Sequence, residues 1–515
     1  MSLDACRAIL TNAKKLRILL SVLLGFCALL YYLFWWFEGG KPLSIWQVAT
    51  LVIAIVYTVV QLGGNWTLYL AAYKRSRIRP SLTQRLTVDV LVTAYKEEYV
   101  LVRRCLEAAC AMNGNYRVWL LDDGADPELA RLAHQLGIRY LARPGNEDAK
   151  AGNLNYALRK VDGDVLVIFD IDHAPTQDFL DHTLIHFENP EVGFVQVMLT
   201  FENGYDGWVA QAGAESSLDF YNPTSIGADG IGSATLVGSN ALIRRQALQD
   251  IGGYKPGLAE DLATSIALHA AGWRSLYVRK PLAPGFAPPD LAAWFTQQLK
   301  WARGVFEELL TSYPRYFKAL NGGQRISYAV RMTYYWVGIV IGIHMVATIH
   351  ALWSAEHTAL VNFENYLMHF WPLGTMTIVI RQLALQRWFH PSLKGSGANV
   401  QWKPITLVFA TWPIYILAWC MAILRLPLNF RATPKTKSHR FALKWVMPQL
   451  LSVLALALGF VYTLIKLKGQ IYFWVYGFTM AQILAQLPVL YAYLSSRFTT
   501  PLAAPVLTSV GEHAP

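Results

Sequence analysis

The stretch "VIFDIDHAP" at residues 167–175 decides how the chain is read. Val167, Ile168 and Phe169 form an apolar run suited to a buried strand. Asp170 and Asp172 follow, one residue apart, with His173 and Pro175 behind them. Carboxylates at the tip of an apolar strand are costly unless a cation holds them. Alternate residues of an extended segment share a side, so Asp170 and Asp172 can offer hard oxygens to one divalent ion. A D-x-D pair standing alone is more often an ordinary loop pair, so its neighbours must decide.

Three further runs have the same character: "VDVLVTAY" (88–95), "RVWLLDD" (117–123) and "VGFVQVML" (192–199). They alternate with helical patterns, which predicts an α/β domain with a largely parallel sheet. Polar residues cluster where the strands end, in "VTAYKEE" (92–98), "LLDDGADPE" (120–128) and "GNEDAKAGNLNYAL" (145–158), and again at a helix start in "GLAEDLATSIAL" (257–268). In an open parallel sheet that edge is where ligands bind. Each cluster also has a plainer use as a turn, a helix cap or a solvated charge. Their joint occurrence in this order is what points to a site.

Apolar runs flank the domain. Hydrophobic residues make up 54% of the 515, and Trp occurs 18 times, which fits a membrane protein. The segment 16–37 reads as a retained span, and a second lies within 45–72. Lys14, Lys15 and Arg17 precede the first; Lys74, Arg75, Arg77 and Arg79 follow the second, placing both flanks in the cytoplasm. Segments 326–353, 366–385, 445–465 and 471–494 read as four more spans. Segment 404–426 is apolar, but if it crossed, the basic run "RLPLNFRATPKTKSHRFALK" would fall outside; with Pro413 in its middle it reads as an interfacial or re-entrant helix. The expected layout is a transmembrane pair (1–80), a cytoplasmic domain (81–325), a second membrane region (326–500) containing the interfacial helix and a loop at 427–444, and a cytoplasmic tail (501–515). The formal charge of +11 is then mainly membrane orientation, with some left for an anionic substrate and none needed for nucleic acid. The five cysteines (Cys6, Cys27, Cys105, Cys110 and Cys420) lack metal-ligand spacing and suit a reducing compartment.

"KAGNLNYAL", "FDIDHAP", "AED" and "QQLKWARG" (297–304) together resemble the processive, membrane-embedded family 2 glycosyltransferases, the group of cellulose, chitin and hyaluronan synthases, and most closely the bacterial cellulose synthase pattern. The resemblance implies a GT-A domain inserted between membrane helices, at the inner or plasma membrane. It implies inverting transfer of a sugar, glucose above others, from a UDP-sugar donor to a growing β-linked chain, with coupled translocation. Asp170, Asp172 and His173 would hold Mg²⁺ or Mn²⁺ against the donor diphosphate. Asp122, with Asp123 beside it, would hold the uridine, and Thr93, Tyr95 and Glu97 would wall the uracil pocket. Lys150 and Lys300 would face the diphosphate. Asp261, beside Glu260, would be the general base. Gln297, Lys300 and Trp301 occupy the Q-x-x-R-W places, so Lys300 offers a point charge where the family has a bidentate Arg. Trp301 would carry the acceptor sugar. "FRATPK" (430–435) resembles the F-x-V-T-x-K gating loop, giving Phe430, Thr433 and Lys435 a lid role. Gly238, Ser239 and Asn240 would let the sugar chain pass close to backbone.

The same motif set also serves enzymes that place one sugar on a membrane lipid such as diacylglycerol, so a lipid acceptor stands beside a carbohydrate one. A transporter with a regulatory domain would need intramembrane charges or paired broken helices; Arg331 and Arg381, near span ends, are the candidates noted. Few residues follow the last span, which predicts no C-terminal cyclic-di-GMP-binding domain. Accessory export subunits are compatible with this reading, and membrane lipids are expected around it.

Overall fold

The structure, a computed structural model, describes residues 3–38, 45–74, 86–354, 363–388, 402–428, 442–466 and 473–498. Seven strands form one sheet: β1 (Val88–Ala94), β2 (Arg117–Asp122), β3 (Arg139–Ala142), β4 (Val165–Asp170), β5 (Val192–Val197), β6 (Ala241–Arg244) and β7 (Arg274–Val278). Their order is β3-β2-β1-β4-β6-β5-β7. Both faces are buried, so the strands read as continuous apolar runs. On one face Val90, Val92, Val167 and Phe169 pack with Val102 and Leu106 of helix Tyr99–Cys110. On the other Leu91, Leu166 and Ile168 pack with Leu154 of helix Ala149–Leu158.

The pairing is parallel except around β6, which runs antiparallel to both β4 and β5. This strand, absent from the expected set, matters for the site. Ala241 pairs with Ile168, so the loop entering β6 reaches the same sheet edge at which β4 ends. The register also sets Thr93 beside Asp170 and Ala94 beside Asp122. Three strand ends and one strand start therefore converge on one edge.

Among the described residues five helical segments are long and apolar enough to cross a membrane: Asn12–Phe37, Leu51–Ala71, Gly322–Ser354, Met447–Lys466 and Val475–Ser496. Segment 366–385, expected to span, is helical within Phe363–Trp388 but is not one of the five. It lies along the first helix, so close that a Cβ on Gly25 would sit 2.7 Å from the Ile380 side chain. Segment 404–426 is two helices, Trp402–Ala410 and Trp412–Ile423, bent by 45° at Thr411 and apolar enough to count as a sixth crossing if taken as one broken span. Pro413 stands in the first turn of the second helix, where it has no N–H to continue the first.

The domain and the apolar bent pair share a core. Helix Leu291–Leu310 buries Trp294, Phe295, Leu299 and Phe306 against Leu407, Ile414, Tyr415 and Ala418 of the bent pair. Trp294 Nε1 donates to Thr411 Oγ1 at 2.9 Å, and Tyr415 Oη donates to Gln298 Oε1 at 2.9 Å.

Candidate active site

One cavity of about 1160 Å³ opens at the converged sheet edge. Thr93, Tyr95, Glu97 and Asp123 line one end of it, with Lys150, Asp170, Asp172 and His173. Glu260, Asp261, Gln297, Lys300 and Trp301 line its middle. It continues among the membrane helices, past Gln61, Tyr69, Tyr334, Tyr335 and Tyr415. Asp122 is not part of the wall. Phe430, Thr433 and Lys435 lie outside the described residues.

Asp170 ends β4 with its carboxylate to the cavity. Its Oδ1 takes a short charge-assisted bond from Lys150 Nζ and lies 3.3 Å from Thr93 Oγ1. Its backbone N–H donates to Ser239 Oγ at 2.9 Å, a contact supplied by the loop entering β6. Lys150 also donates to the Gly238 carbonyl at 2.6 Å. Gly238 has φ +88°, a conformation costly for other residues. Burial pulls on the Lys150 ammonium, but Asp170, Glu260 and Asp261 outweigh it and hold its pKa above the usual lysine value. Of the three small residues expected along the passage, Gly238 and Ser239 line the cavity. Asn240 is fully buried and donates from Nδ2 to the Ala283 carbonyl at 2.7 Å.

Beyond Asp170 the chain turns, and Asp172 and His173 are buried at 6% and 5% exposure. The oxygens of both aspartates and a ring nitrogen of His173 lie within 4.8 Å of one another. Neither His173 nitrogen has a hydrogen-bond partner in the structure, and Nδ1 stands 3.5 Å from Asp172 Oδ1. Gly285 makes room for the ring, since a Cβ there would fall 2.6 Å from Nε2. Cys105 braces the turn from behind, its Sγ donating to the His173 carbonyl at 3.2 Å. A buried imidazole with two orphaned nitrogens beside two carboxylates is the donor set of a hard or borderline divalent cation.

The "LLDDGADPE" turn is built differently. Asp122 is fully buried and accepts from the N–H groups of Gly124 (2.8 Å) and Asp126 (2.7 Å) and from Tyr140 Oη (2.9 Å). Its oxygens are committed to the turn, and although expected to hold the uridine it does not face the cavity; Asp123 is the member that does. Asp123 is clamped by Arg143, Nε at 2.6 Å and Nη2 at 3.0 Å. Nothing in the local pattern tells which of two adjacent carboxylates turns inward.

Glu260 and Asp261 open helix Glu260–Ala270, where negative charge suits the helix dipole. Burial pushes both carboxyls up from their ordinary pKa range, Glu260 further because Asp261 is beside it. On Asp261 the chief opposing influence is Arg331, followed by the Leu262 N–H, at 2.7 Å from Oδ1, and by Lys150 and Lys300. Asp261 Oδ2 and Lys150 Nζ flank Gly238, 3.7 and 3.9 Å from where a Cβ would stand. The acidic pair and the D-x-D turn thus face one space across that loop. Trp301, 39% exposed, stands on the same wall.

Residues 85–304 match the family described as "Glycosyltransferase like family 2", and residues 249–472 match "Cellulose synthase". Over residues 85–472 the chain is similar to the cellulose-synthase-like glycosyltransferases of family 2. Cellulose synthase 1 of Komagataeibacter xylinus is 30% identical over 408 residues, 76% of this chain and 25% of that protein. The UDP-forming cellulose synthase catalytic subunit of Pseudomonas fluorescens is 29% identical over 420 residues, 78% of this chain and 55% of that protein. The chain therefore spans a quarter of the first relative and about half of the second. A solved mannosyltransferase from Pyrobaculum calidifontis, in complex with GDP-Man and Mn²⁺, aligns with a TM-score of 0.44 at 19% identity, over 64% of this chain and 97% of that one. The mixed seven-stranded sheet is the GT-A domain of the family, with apolar helices on both sides of it in sequence.

Proposed function

We propose that this chain transfers glucose from UDP-glucose, with inversion, to the end of a growing β-linked glucan, and passes the product between its membrane helices. The observation that carries this is the single cavity holding the D-x-D turn, the acidic pair and Trp301, which runs on into a wall of tyrosines and amides. Such a wall suits a sugar chain, whose faces stack on aromatic rings and whose hydroxyls need polar partners.

Asp170, Asp172 and His173 would hold Mg²⁺ or Mn²⁺; bound there, the cation supplies positive charge to the departing diphosphate. Lys150 and Lys300 add fixed charge to the same region. Thr93, Tyr95, Glu97 and Asp123 wall the end where the nucleoside fits. Asp261 takes the proton of the attacking hydroxyl, and burial, by raising its affinity for a proton, makes it a stronger base than an ordinary aspartate. One base and one displacement, without a covalent intermediate, invert the anomeric centre. Trp301 carries the acceptor sugar; Phe430, Thr433 and Lys435 are assigned to a lid that limits donor hydrolysis. The enzyme is read as a multi-pass protein of the inner or plasma membrane, with the GT-A domain and both termini cytoplasmic.

The test is product analysis. Purified protein in proteoliposomes, given radiolabelled UDP-glucose with Mn²⁺ or Mg²⁺, should release UDP and form label that is insoluble in organic solvent and sensitive to a β-glucanase. Label extracted as a single-sugar lipid would replace the polymer with a glycolipid; no UDP release would overturn the reading altogether.

A further inference from the structure

Two arginines of the membrane region converge on one short segment of the GT-A domain. Arg381 Nε, on helix Phe363–Trp388, donates to Asp219 Oδ2 at 2.6 Å. Arg331, on helix Gly322–Thr333, lies over the ring of the next residue, Phe220, 5.0 Å from its centroid, and bonds Thr235 Oγ1 and the Leu236 carbonyl. Asp219 and Phe220 both line the cavity that Asp261 lines. The segment is unusual locally, because Phe220–Thr224 is a single π-helical turn with Pro223 inside it. Such turns are stored at functional sites more often than at neutral ones.

We propose that Asp219 and Arg381 are a positioning pair, holding the acceptor wall of the cavity in register with the membrane helices through which product leaves. This rests on the transferase reading above. Asp219 Oδ1 has no hydrogen-bond partner in the structure, so Arg381 is the cation that compensates this carboxylate. Burial raises the Asp219 pKa and Arg381 opposes that shift. Removing one member of such a pair leaves a stranded charge, whereas exchanging both keeps the interaction. Helix Phe363–Trp388 meets the GT-A domain again two turns on, where Trp388 stacks with Arg279. Residues seven apart share a helix face, so one face of this helix is spent on the domain. That explains why it carries charge and falls short of the apolarity of the five spans.

The experiment uses the full chain in proteoliposomes, with UDP-glucose as donor and cellopentaose as primer. Arg381→Met and Asp219→Asn should each lower transfer about tenfold to a hundredfold, the scale of a small remote misplacement, and shorten the product. UDP affinity, measured by calorimetry, should stay within about twofold, because the donor contacts are untouched. The exchanged variant, Asp219→Arg with Arg381→Asp, should restore transfer and product length to within about threefold. Wild-type transfer and length in the single variants would overturn the proposal. So would loss of UDP binding along with transfer, which marks a pair needed only for folding, or an exchanged variant no better than the singles. A wild-type protein that binds no UDP would instead remove the transferase reading.

Discussion

Two aspartate pairs stand at the same edge of the sheet, on either side of β1, Asp122 and Asp123 after β2 and Asp170 and Asp172 after β4. They contain the same side chains and face nearly the same space, yet their hydrogen-bonding capacity is spent in opposite ways. The first pair is consumed by protein. Asp122 takes three donors from its own turn and from Tyr140, and Asp123 is gripped by Arg143. In the second, Lys150 and Thr93 hold Asp170, and it is the imidazole beside the two carboxylates, His173, whose nitrogens have no hydrogen-bond partner. A carboxylate that shapes a turn, as Asp122 does, is a fixed part of the scaffold behind the wall. One beside an orphaned histidine belongs to a group that could hold a divalent cation.

The largest contrast should come from substituting the second pair. Asp172→Asn replaces an anionic group by a neutral amide, and transfer should fall by about 10³-fold or more, since a cation held there would contribute several kcal/mol to leaving-group stabilisation. Chelation of the wild type by EDTA should do the same, and excess Mn²⁺ should restore it. Full radiolabel transfer under EDTA would erase the distinction between the pairs.

Next in size is the base. Asp261→Asn should lower transfer about 10²–10⁴-fold while UDP binding by calorimetry hardly changes. The pH profile gives the same residue a second reading. Its pKa is raised, so the base becomes protonated, and transfer falls, as pH drops through a value above the ordinary aspartate range. The folded state binds this proton more tightly than the unfolded chain, so the ionised form costs stability that returns as pH falls through the raised value. Arg331→Gln should move the acid limb further up, because the guanidinium opposes the shift. An acid limb unmoved by that change would detach Arg331 from the base.

The smallest effect belongs to the first pair. Asp122→Asn keeps one oxygen for the turn but places an amide N–H₂ among donors. A loss of about 1–3 kcal/mol in stability is expected, read as a lowered thermal midpoint, with UDP affinity near wild type. A large loss of UDP affinity with unchanged stability would show that Asp122 meets the donor after all, and the comparison would fail.

Much of this site was readable from the chain because strand ends leave polar residues in recognisable places. The D-x-D turn, Lys150 at the start of its helix, the acidic pair at Glu260 and the Gln297-to-Trp301 face all line the space expected of them. What could not be read depends on partners far away in sequence. Asp122 turns inward because Tyr140, on a different strand, donates to it. β6 is four residues long with Arg at its end, too short for an alternation to register, yet it delivers Gly238 and Ser239 to the site. Asp219 and Arg381 are 162 positions apart, and neither belongs to a motif. The contact of helix Phe363–Trp388 with the GT-A domain through Arg381 is likewise absent from its local pattern.

The apolar seam between helix Leu291–Leu310 and the bent pair has a consequence for biosynthesis. Trp294, Phe295 and Phe306 are covered by Leu407, Ile414, Tyr415 and Ala418, which are translated later. At typical rates of about 5–20 residues per second, the domain waits on the order of 5–20 s with that face bare. The nascent GT-A unit is therefore a client for chaperones or for the lipid surface until the bent pair emerges. A fragment ending near residue 320 would carry the bare face permanently and would precipitate for that reason.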